Sequence, residues 1–133
     1  MEQEYRRAQT TVSLINYHFI FCPRYRRKIF LDQKVEQRFK EIVQEVCKEQ
    51  QIKILAIECD KDHVHMFLNT LPQISPSQIM AKIKGVSSKI LRQEFKHLKH
   101  MPSLWTRSFF VSTAGNVSSD TIKKYIEEQK TRG

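Results

Sequence analysis

The chain has 133 residues, of which 40% are hydrophobic and 28% charged, and these values are typical of one soluble globular domain over residues 1–133. The formal net charge is +9, which favours a polyanionic partner, although a solubilising surface explains the charge alone equally well. Three cysteines without a CxxC pair exclude a disulfide framework and a cysteine-based zinc site. No apolar run is long enough for a membrane span, so we expect a cytoplasmic protein without a membrane partner.

The first half of the chain contains three predicted strands and one helix. The segment Thr11–Phe21 is apolar and β-rich on both faces, which predicts a central strand. Asp32 is the expected N-cap of the following helix, whose apolar side chains recur at helical spacing over Val35–Cys47. The segments Ile52–Cys59 and His63–Leu71 are joined by a short polar loop, which predicts an antiparallel hairpin.

The second half predicts a helix, a fourth strand and a terminal helix. Ser75 and Gln78 form a capping box around Pro76 at the first helical position. A strand follows over Trp105–Thr113, and a helix at roughly Asp120–Lys130. The order β-α-β-β-α-β predicts an α+β fold, namely a ferredoxin-like (RRM-like) antiparallel sheet with its helices on one face and its first and third strands at the centre.

The segment His63-Val64-His65 is the first candidate for chemistry. Side chains alternate along a strand, so the two histidines point to one face, about 7 Å apart, and can converge on one metal ion. Asp62 precedes the pair and could orient one imidazole. Two polar residues on a half-exposed strand are an equally good explanation of the motif taken alone.

Tyr125 and Gln129 lie four residues apart, and are therefore neighbours on one face of the predicted terminal helix. Gln129 could offer an amide oxygen to a metal, and Tyr125 a phenolic oxygen. Ile122 and Ile126 continue the same stripe, however, so packing of Tyr125 in a core is the commoner explanation of this spacing alone.

Basic residues occur in clusters with aromatic side chains. Residues 70–133 carry 11 basic and 4 acidic side chains, whereas residues 1–69 carry 12 and 10. Positive charge beside aromatic rings suits phosphate contacts and base stacking. The candidate DNA-binding residues are Arg24, Tyr25, Arg26, Arg27, Lys28, Lys82, Lys84, Lys89, Arg92, Trp105 and Arg107.

A series of motifs covers about residues 10–130 and resembles one family. The series is Pro23-Arg24-Tyr25-Arg26-Arg27, Asp62-His63-Val64-His65, Ser75-Pro76-Ser77, Lys84-Gly85, Leu104-Trp105, Arg107-Ser108-Phe109-Phe110-Val111-Ser112, Gly115 and Lys124-Tyr125-Ile126-Glu127-Glu128-Gln129. It resembles the small single-tyrosine HUH transposases of the TnpA type, which are encoded by the smallest bacterial and archaeal insertion sequences.

The resemblance implies a homodimer that cuts and rejoins single-stranded DNA at insertion-sequence ends and recognises subterminal hairpins. It implies that His63, His65 and Gln129 bind a divalent metal, Mg²⁺ or Mn²⁺. It also implies that Tyr125 is the nucleophile of a 5′-phosphotyrosine intermediate. In this family the tyrosine helix of one protomer can complete the site of the other. The implied location is the cytoplasm, at the nucleoid when the protein is bound to DNA.

Two other functions fit parts of the sequence. A non-catalytic nucleic-acid-binding module of ferredoxin-like fold would explain the basic clusters but would leave His63 and His65 unused. A metal-dependent phosphodiesterase that activates water would use the histidines but not Tyr125, and covalent trapping would separate it from a transposase. A degenerate transposase copy is a third possibility, but every motif residue named above is intact.

Overall fold

The computed structural model describes residues 3–115 and Lys124. Two α-helices and six strands occur in this part of the chain, and three short 3₁₀ turns connect them. The elements in chain order are β1 (Arg6–Arg7), β2 (Val12–Ser13), β3 (Ile15–Phe21), 3₁₀ turns at Arg24–Arg26 and Ile29–Leu31, α1 (Gln33–Glu49), β4 (Lys53–Asp60), β5 (His63–Thr70), α2 (Pro76–Glu94), a 3₁₀ turn at Lys96–Leu98, and β6 (Phe110–Thr113).

Four strands form one antiparallel sheet in the order β4-β5-β3-β6. The strands β3 and β5 are the predicted first and third strands, and they lie at the centre as expected. This order, with one helix in each of the two crossovers, confirms the predicted α+β architecture. The predicted tyrosine-bearing helix lies outside the described residues, apart from Lys124, which is helical.

Both helices begin at the predicted caps. The carboxylate of Asp32 accepts a hydrogen bond of 2.9 Å from the backbone N–H of Lys34 at the start of α1. At the start of α2, the Ser75 hydroxyl accepts from the N–H of Gln78 at 3.1 Å, and the Gln78 side chain accepts from the N–H of Ser75 at 2.9 Å. The capping box therefore satisfies two backbone donors that a helix end leaves unpaired.

The hydrophobic core lies between one face of the sheet and the two helices. Alternate residues of the central strands point into it, among them Phe19 of β3 and Met66 of β5, together with Phe39 of α1 and Ile83 of α2. The opposite face of β3 and β5, called the distal face below, carries polar and aromatic side chains. They are Asn16, His18, His63, His65, Phe67 and Asn69.

Two predicted strands are shorter in the structure than the sequence pattern indicates. In the segment Thr11–Phe21 the chain divides at Leu14: β2 pairs with β1 in a separate two-stranded sheet, and only Ile15–Phe21 joins the main sheet. In the segment Trp105–Thr113 only β6 joins the sheet continuously, while Trp105 makes an isolated bridge to Pro23. Among the described helices, neither is long and apolar enough to cross a bilayer.

Candidate active site and nucleic-acid interface

The two histidines of β5 lie on the distal face, as the alternation predicts. Their ring centroids are 5.0 Å apart and the rings are nearly perpendicular, at 72°. His65 is 4% exposed, whereas the side chain of His63 is 21% exposed. The strand thus buries the imidazole of His65 inside the protein and places that of His63 beside it, closer to the surface.

Asp62 contacts His63 in the way the sequence suggests. The carboxylate oxygen Oδ1 of Asp62 lies 2.9 Å from Nδ1 of His63, and Oδ2 lies 3.4 Å from the guanidinium of Arg26. The hydrogen bond to His63 lowers the pKa of Asp62, with Arg26 also lowering it, against the opposing effect of burial. Asp62 thus occupies Nδ1 of His63, and the other ring nitrogen, Nε2, lies 3.5 Å from Oδ2 of Asp60, so a ligand at Nε2 would lie beside that carboxylate.

His18 is a site residue that the sequence reasoning missed. It lies on β3, and its Nε2 is 3.4 Å from Nδ1 of His65, with the two rings nearly parallel at 13°. Burial lowers the pKa of His18 to about 4, with a smaller contribution from His65, so the ring is neutral near pH 7. The sequence feature that could have identified His18 is the alternation of side chains along β3, which places His18 on the same face as Asn16, away from the core.

A cleft of about 610 Å³ opens beside the two histidines of β5. It is called the histidine cleft here, and its lining residues are Ile20, Phe21, Cys22, Arg26, His63, His65, Thr106, Ser108, Phe109 and Phe110. Two neighbouring imidazoles and one guanidinium at a cleft are suited to a divalent metal and a phosphate. Among the described residues, no group of three or more His, Cys, Asp and Glu side chains could hold a metal. The site therefore fits a metal only if other ligands join His63 and His65.

The other predicted members of the site, Tyr125 and Gln129, lie outside the described residues. Their assignment as nucleophile and third metal ligand stays a prediction.

A second cleft, of about 890 Å³, gathers basic residues from separate parts of the sequence. It is called the basic cleft here, and its charged lining residues are Arg24, Lys84, Lys89, Arg92, Lys99 and Arg107. Five of these six are predicted DNA-binding residues. The structure therefore brings together side chains from the turn after β3, from α2 and from the loop before β6.

The remaining predicted DNA-binding residues have different surroundings. Tyr25 is 79% exposed on the 3₁₀ turn after β3, where its backbone has a positive φ of 60°. Arg26 lines the histidine cleft, while Arg27 and Lys28 line a neighbouring pocket. Lys82 is exposed on α2. The ring of Tyr25 is therefore accessible for the base stacking that the sequence predicts.

Trp105, a predicted DNA-binding residue, is mostly buried. It is 4% exposed, packs edge-on against Phe21 at 4.9 Å, and donates a 2.9 Å hydrogen bond from its indole Nε1 to Oγ of Ser87. The indole is thus a hydrogen-bonded core group that leaves little surface for a base, although Trp105 also lines the basic cleft, and its role in DNA binding stays a prediction.

Comparison with known proteins identifies the family. The "Transposase for insertion sequence element IS200" of Salmonella typhimurium is 36% identical over 120 residues, which cover 86% of this chain and 78% of that protein. The crystal structure of a candidate transposase from Deinococcus radiodurans R1 has a TM-score of 0.76 and 28% identity, and the match covers 93% of this chain and 97% of that one.

A REP-associated tyrosine transposase bound to a REP hairpin shares the fold, with a TM-score of 0.61 and 19% identity over 95% of this chain and 67% of that one. Residues 11–129 match the family model described as "Transposase IS200 like". That match spans most of the chain, including both histidines of β5 and the predicted positions of the nucleophile and the third metal ligand. The protein therefore belongs to the IS200-like family of transposases.

Proposed function

We propose that this transposase cleaves and rejoins single-stranded DNA at the ends of an insertion sequence through a 5′-phosphotyrosine at Tyr125. The observation that carries the proposal is the pairing of His63 and His65 at the histidine cleft, each with its Nδ1 atom against a neighbouring side chain. This arrangement supports a pair of metal ligands, because histidines that bind a metal commonly have a partner on one ring nitrogen while the other binds the ion.

His63, His65 and Gln129 would hold a divalent ion, Mg²⁺ or Mn²⁺. When bound, such an ion polarises the scissile phosphate and stabilises the charge that develops on it. Among the described residues that line this cleft, Arg26 carries a guanidinium that can contact a phosphate oxygen. Its ion pair with Asp62, at 3.4 Å, brings it close to His63.

The chemical step is a transfer of one phosphodiester linkage. The hydroxyl of Tyr125 loses its proton as its oxygen attacks phosphorus, the bond from phosphorus to the 3′-oxygen breaks, and that oxygen takes up one proton and leaves as a 3′-hydroxyl. The DNA stays joined to Tyr125 through its 5′-phosphate. A second 3′-hydroxyl can then attack the phosphotyrosine and release Tyr125, so rejoining needs no nucleotide cofactor.

The basic cleft is the proposed contact for the DNA backbone, and subterminal hairpins are the proposed substrate. Six basic side chains converge on this cleft, whose charge would attract phosphates and release counterions. The related tyrosine transposase with the same fold is described as bound to a REP hairpin, which supports a hairpin as the partner here. Thr106 lies between the basic and histidine clefts and lines both, so one strand could run from one to the other.

A homodimer with active sites shared between its chains is the proposed assembly. In the described part of the chain, β6 lies at an edge of the sheet and exposes 51% of Phe110 and 36% of Val111. An apolar strand edge of this kind is stabilised when an equivalent edge of a second copy covers it. Phe110 also lines the histidine cleft, so such a partner would lie close to the site.

One experiment separates this proposal from a water-activating phosphodiesterase and from a binding module. The protein is incubated with labelled single-stranded element ends and Mg²⁺ or Mn²⁺, and a denaturant-stable protein–DNA adduct is sought. We expect an adduct with the wild type and with the control variant Tyr5→Phe, an exposed tyrosine outside both clefts, and none with Tyr125→Phe, which should still bind hairpins. Cleavage by Tyr125→Phe at the wild-type rate would favour activated water as the nucleophile. Binding without any cleavage would favour the non-catalytic module.

A further inference from the structure

We propose that His18 is a positioning residue that fixes the ring orientation and the tautomer of His65. The inference rests on the proposed function, because that function makes His65 a metal ligand. In this arrangement Nδ1–H of His65 donates to Nε2 of His18, and Nε2 of His65 is the nitrogen that binds the ion. His18 would touch neither the metal nor the DNA.

The geometry around His65 carries this inference. Nδ1 of His65 lies 3.4 Å from Nε2 of His18, the rings are nearly parallel, and their centroids are 5.7 Å apart. Both residues are 4% exposed, so bulk water has little access to the contact. A buried ring nitrogen requires a partner, and the position of His18 supplies one on the side of His65 opposite Nε2.

His18 is itself held in place by the neighbouring aromatic rings. Its ring stacks on Phe67 with the centroids 4.3 Å apart and an angle of 6°, and Phe110 of β6 contacts it edge-on at 5.9 Å. The strand register places His18 directly opposite Phe67 and places Ile20 opposite His65. The register therefore sets His18 diagonal to His65, which is within reach of long side chains on one face of a sheet.

The two histidines of β5 then have matching outer partners of different charge. Asp62 contacts Nδ1 of His63 at the exposed side of the pair, and His18 contacts Nδ1 of His65 at the buried side. The carboxylate of Asp62 can be hydrated at the exposed position. At the buried position, next to Phe67, a carboxylate would be costly to bury, whereas the imidazole of His18 is not charged in the same way. The difference in exposure between His63 and His65 thus explains why their partners differ in type.

The test makes two measurements on variants of His18. Electron paramagnetic resonance gives the Mn²⁺ affinity, and long-range ¹H–¹⁵N spectra of the metal-free protein give the tautomer of His65. His18→Phe keeps a planar ring but removes the acceptor, whereas His18→Gln places an amide oxygen near the former Nε2. Phe67→Leu weakens the stacking on His18 without removing a nitrogen, and it should keep the Nδ1–H tautomer of His65.

We expect the wild type to show the Nδ1–H tautomer of His65. His18→Phe should lose it and bind Mn²⁺ about 10–100-fold more weakly, and His18→Gln should recover most of that affinity. Wild-type Mn²⁺ affinity and an unchanged tautomer in His18→Phe would overturn the inference, as would an Nε2–H tautomer in the wild type. If the wild type has the expected tautomer but binds no Mn²⁺, the proposed metal site fails while the contact of His18 stands.

Discussion

The ammonium group of Lys84 donates a 2.9 Å hydrogen bond to the carbonyl oxygen of Thr106, the residue that lines both clefts. A second bond of 2.8 Å reaches the carbonyl of Ser108, and the nitrogen lies 5.4 Å from the ring centroid of Phe109. Burial lowers the pKa of Lys84. The main contacts of this lysine are therefore internal: α2 uses it to fix the loop between the basic cleft and the histidine cleft.

Replacement of Lys84 by methionine should destabilise the protein. The variant keeps the apolar length of the side chain but leaves the carbonyls of Thr106 and Ser108 without their donor. We expect a loss of about 1.5–3 kcal/mol in the free energy of unfolding, measured by urea denaturation. Lys82→Met on the exposed side of the same helix is the matched control, with an expected change within about 0.5 kcal/mol. Equal effects of the two substitutions would contradict the internal role of Lys84.

The basic cleft should set the salt dependence of DNA binding. In the double variant Lys89→Gln/Arg92→Gln, hairpin affinity should fall and the slope of log affinity against log salt should become shallower by about 1 for each phosphate that the protein no longer neutralises. Fluorescence anisotropy across a salt series measures both quantities. The control Lys48→Gln/Lys53→Gln removes two exposed charges outside this cleft and should leave the slope nearly unchanged.

Hairpin recognition has a separate readout in the same assay. We expect the wild type to prefer a hairpin substrate with single-stranded flanks over a perfect duplex of the same sequence at matched salt. The reason is that the exposed ring of Tyr25 can stack only on an unpaired base. Equal affinity for the two DNAs would count against the proposed substrate, even if the basic cleft still determined the salt slope.

The rate of metal-dependent cleavage should fall by about 100-fold or more in His63→Ala and in His65→Ala. The two variants should differ in stability, since His65 is 4% exposed and packs against His18, whereas the side chain of His63 is 21% exposed. His63→Ala should therefore fold like the wild type by circular dichroism and is the cleaner variant. Lys61→Ala, in the same hairpin, is the control. Normal Mn²⁺ affinity in folded His63→Ala would show that this histidine is not a ligand.

Local patterns in the sequence predicted the caps and the alternation, because each depends on residues close together in the chain. Asp32, Ser75 and Gln78 bond to backbone groups two or three residues away, and His63 and His65 share a face because strand side chains alternate. The contact of His18 with His65 could not be predicted this way, because it depends on the register of two strands and joins residues 47 positions apart.

Burial was the other property that the sequence did not reveal. Trp105 and Arg107 stand close together in a basic segment, but the indole points into the core and bonds to Ser87, while Arg107 is exposed in the basic cleft. Lys84 is likewise of a residue type that is usually exposed, but its ammonium group bonds to a backbone carbonyl inside the protein. The sequence shows which basic residues are close together along the chain. Which of them face the same cleft depends on how α2 packs against the loop before β6.

Mixed dimers should show whether the active site is shared between chains. Gly115 follows β6 with a positive φ of 61°, a conformation that glycine adopts without steric cost, and Tyr125 lies ten residues further along the chain. The Tyr125→Phe chain keeps both histidines, and the His63→Ala/His65→Ala chain keeps the tyrosine. Each variant alone should be inactive in the adduct assay.

If a site combines the tyrosine of one chain with the histidines of its partner, a mixed dimer contains one intact site and one doubly defective site. Equal mixing should then restore about a quarter of the wild-type activity, because random pairing makes about half of the dimers mixed and each has one working site of two. If each site lies within one chain, every chain of the mixture has a defect and activity should not return. Differently tagged chains, isolated by two affinity steps, establish that the mixed dimers form. Inactivity of those isolated dimers would therefore refute the shared site and assign Tyr125 to the same chain as His63 and His65.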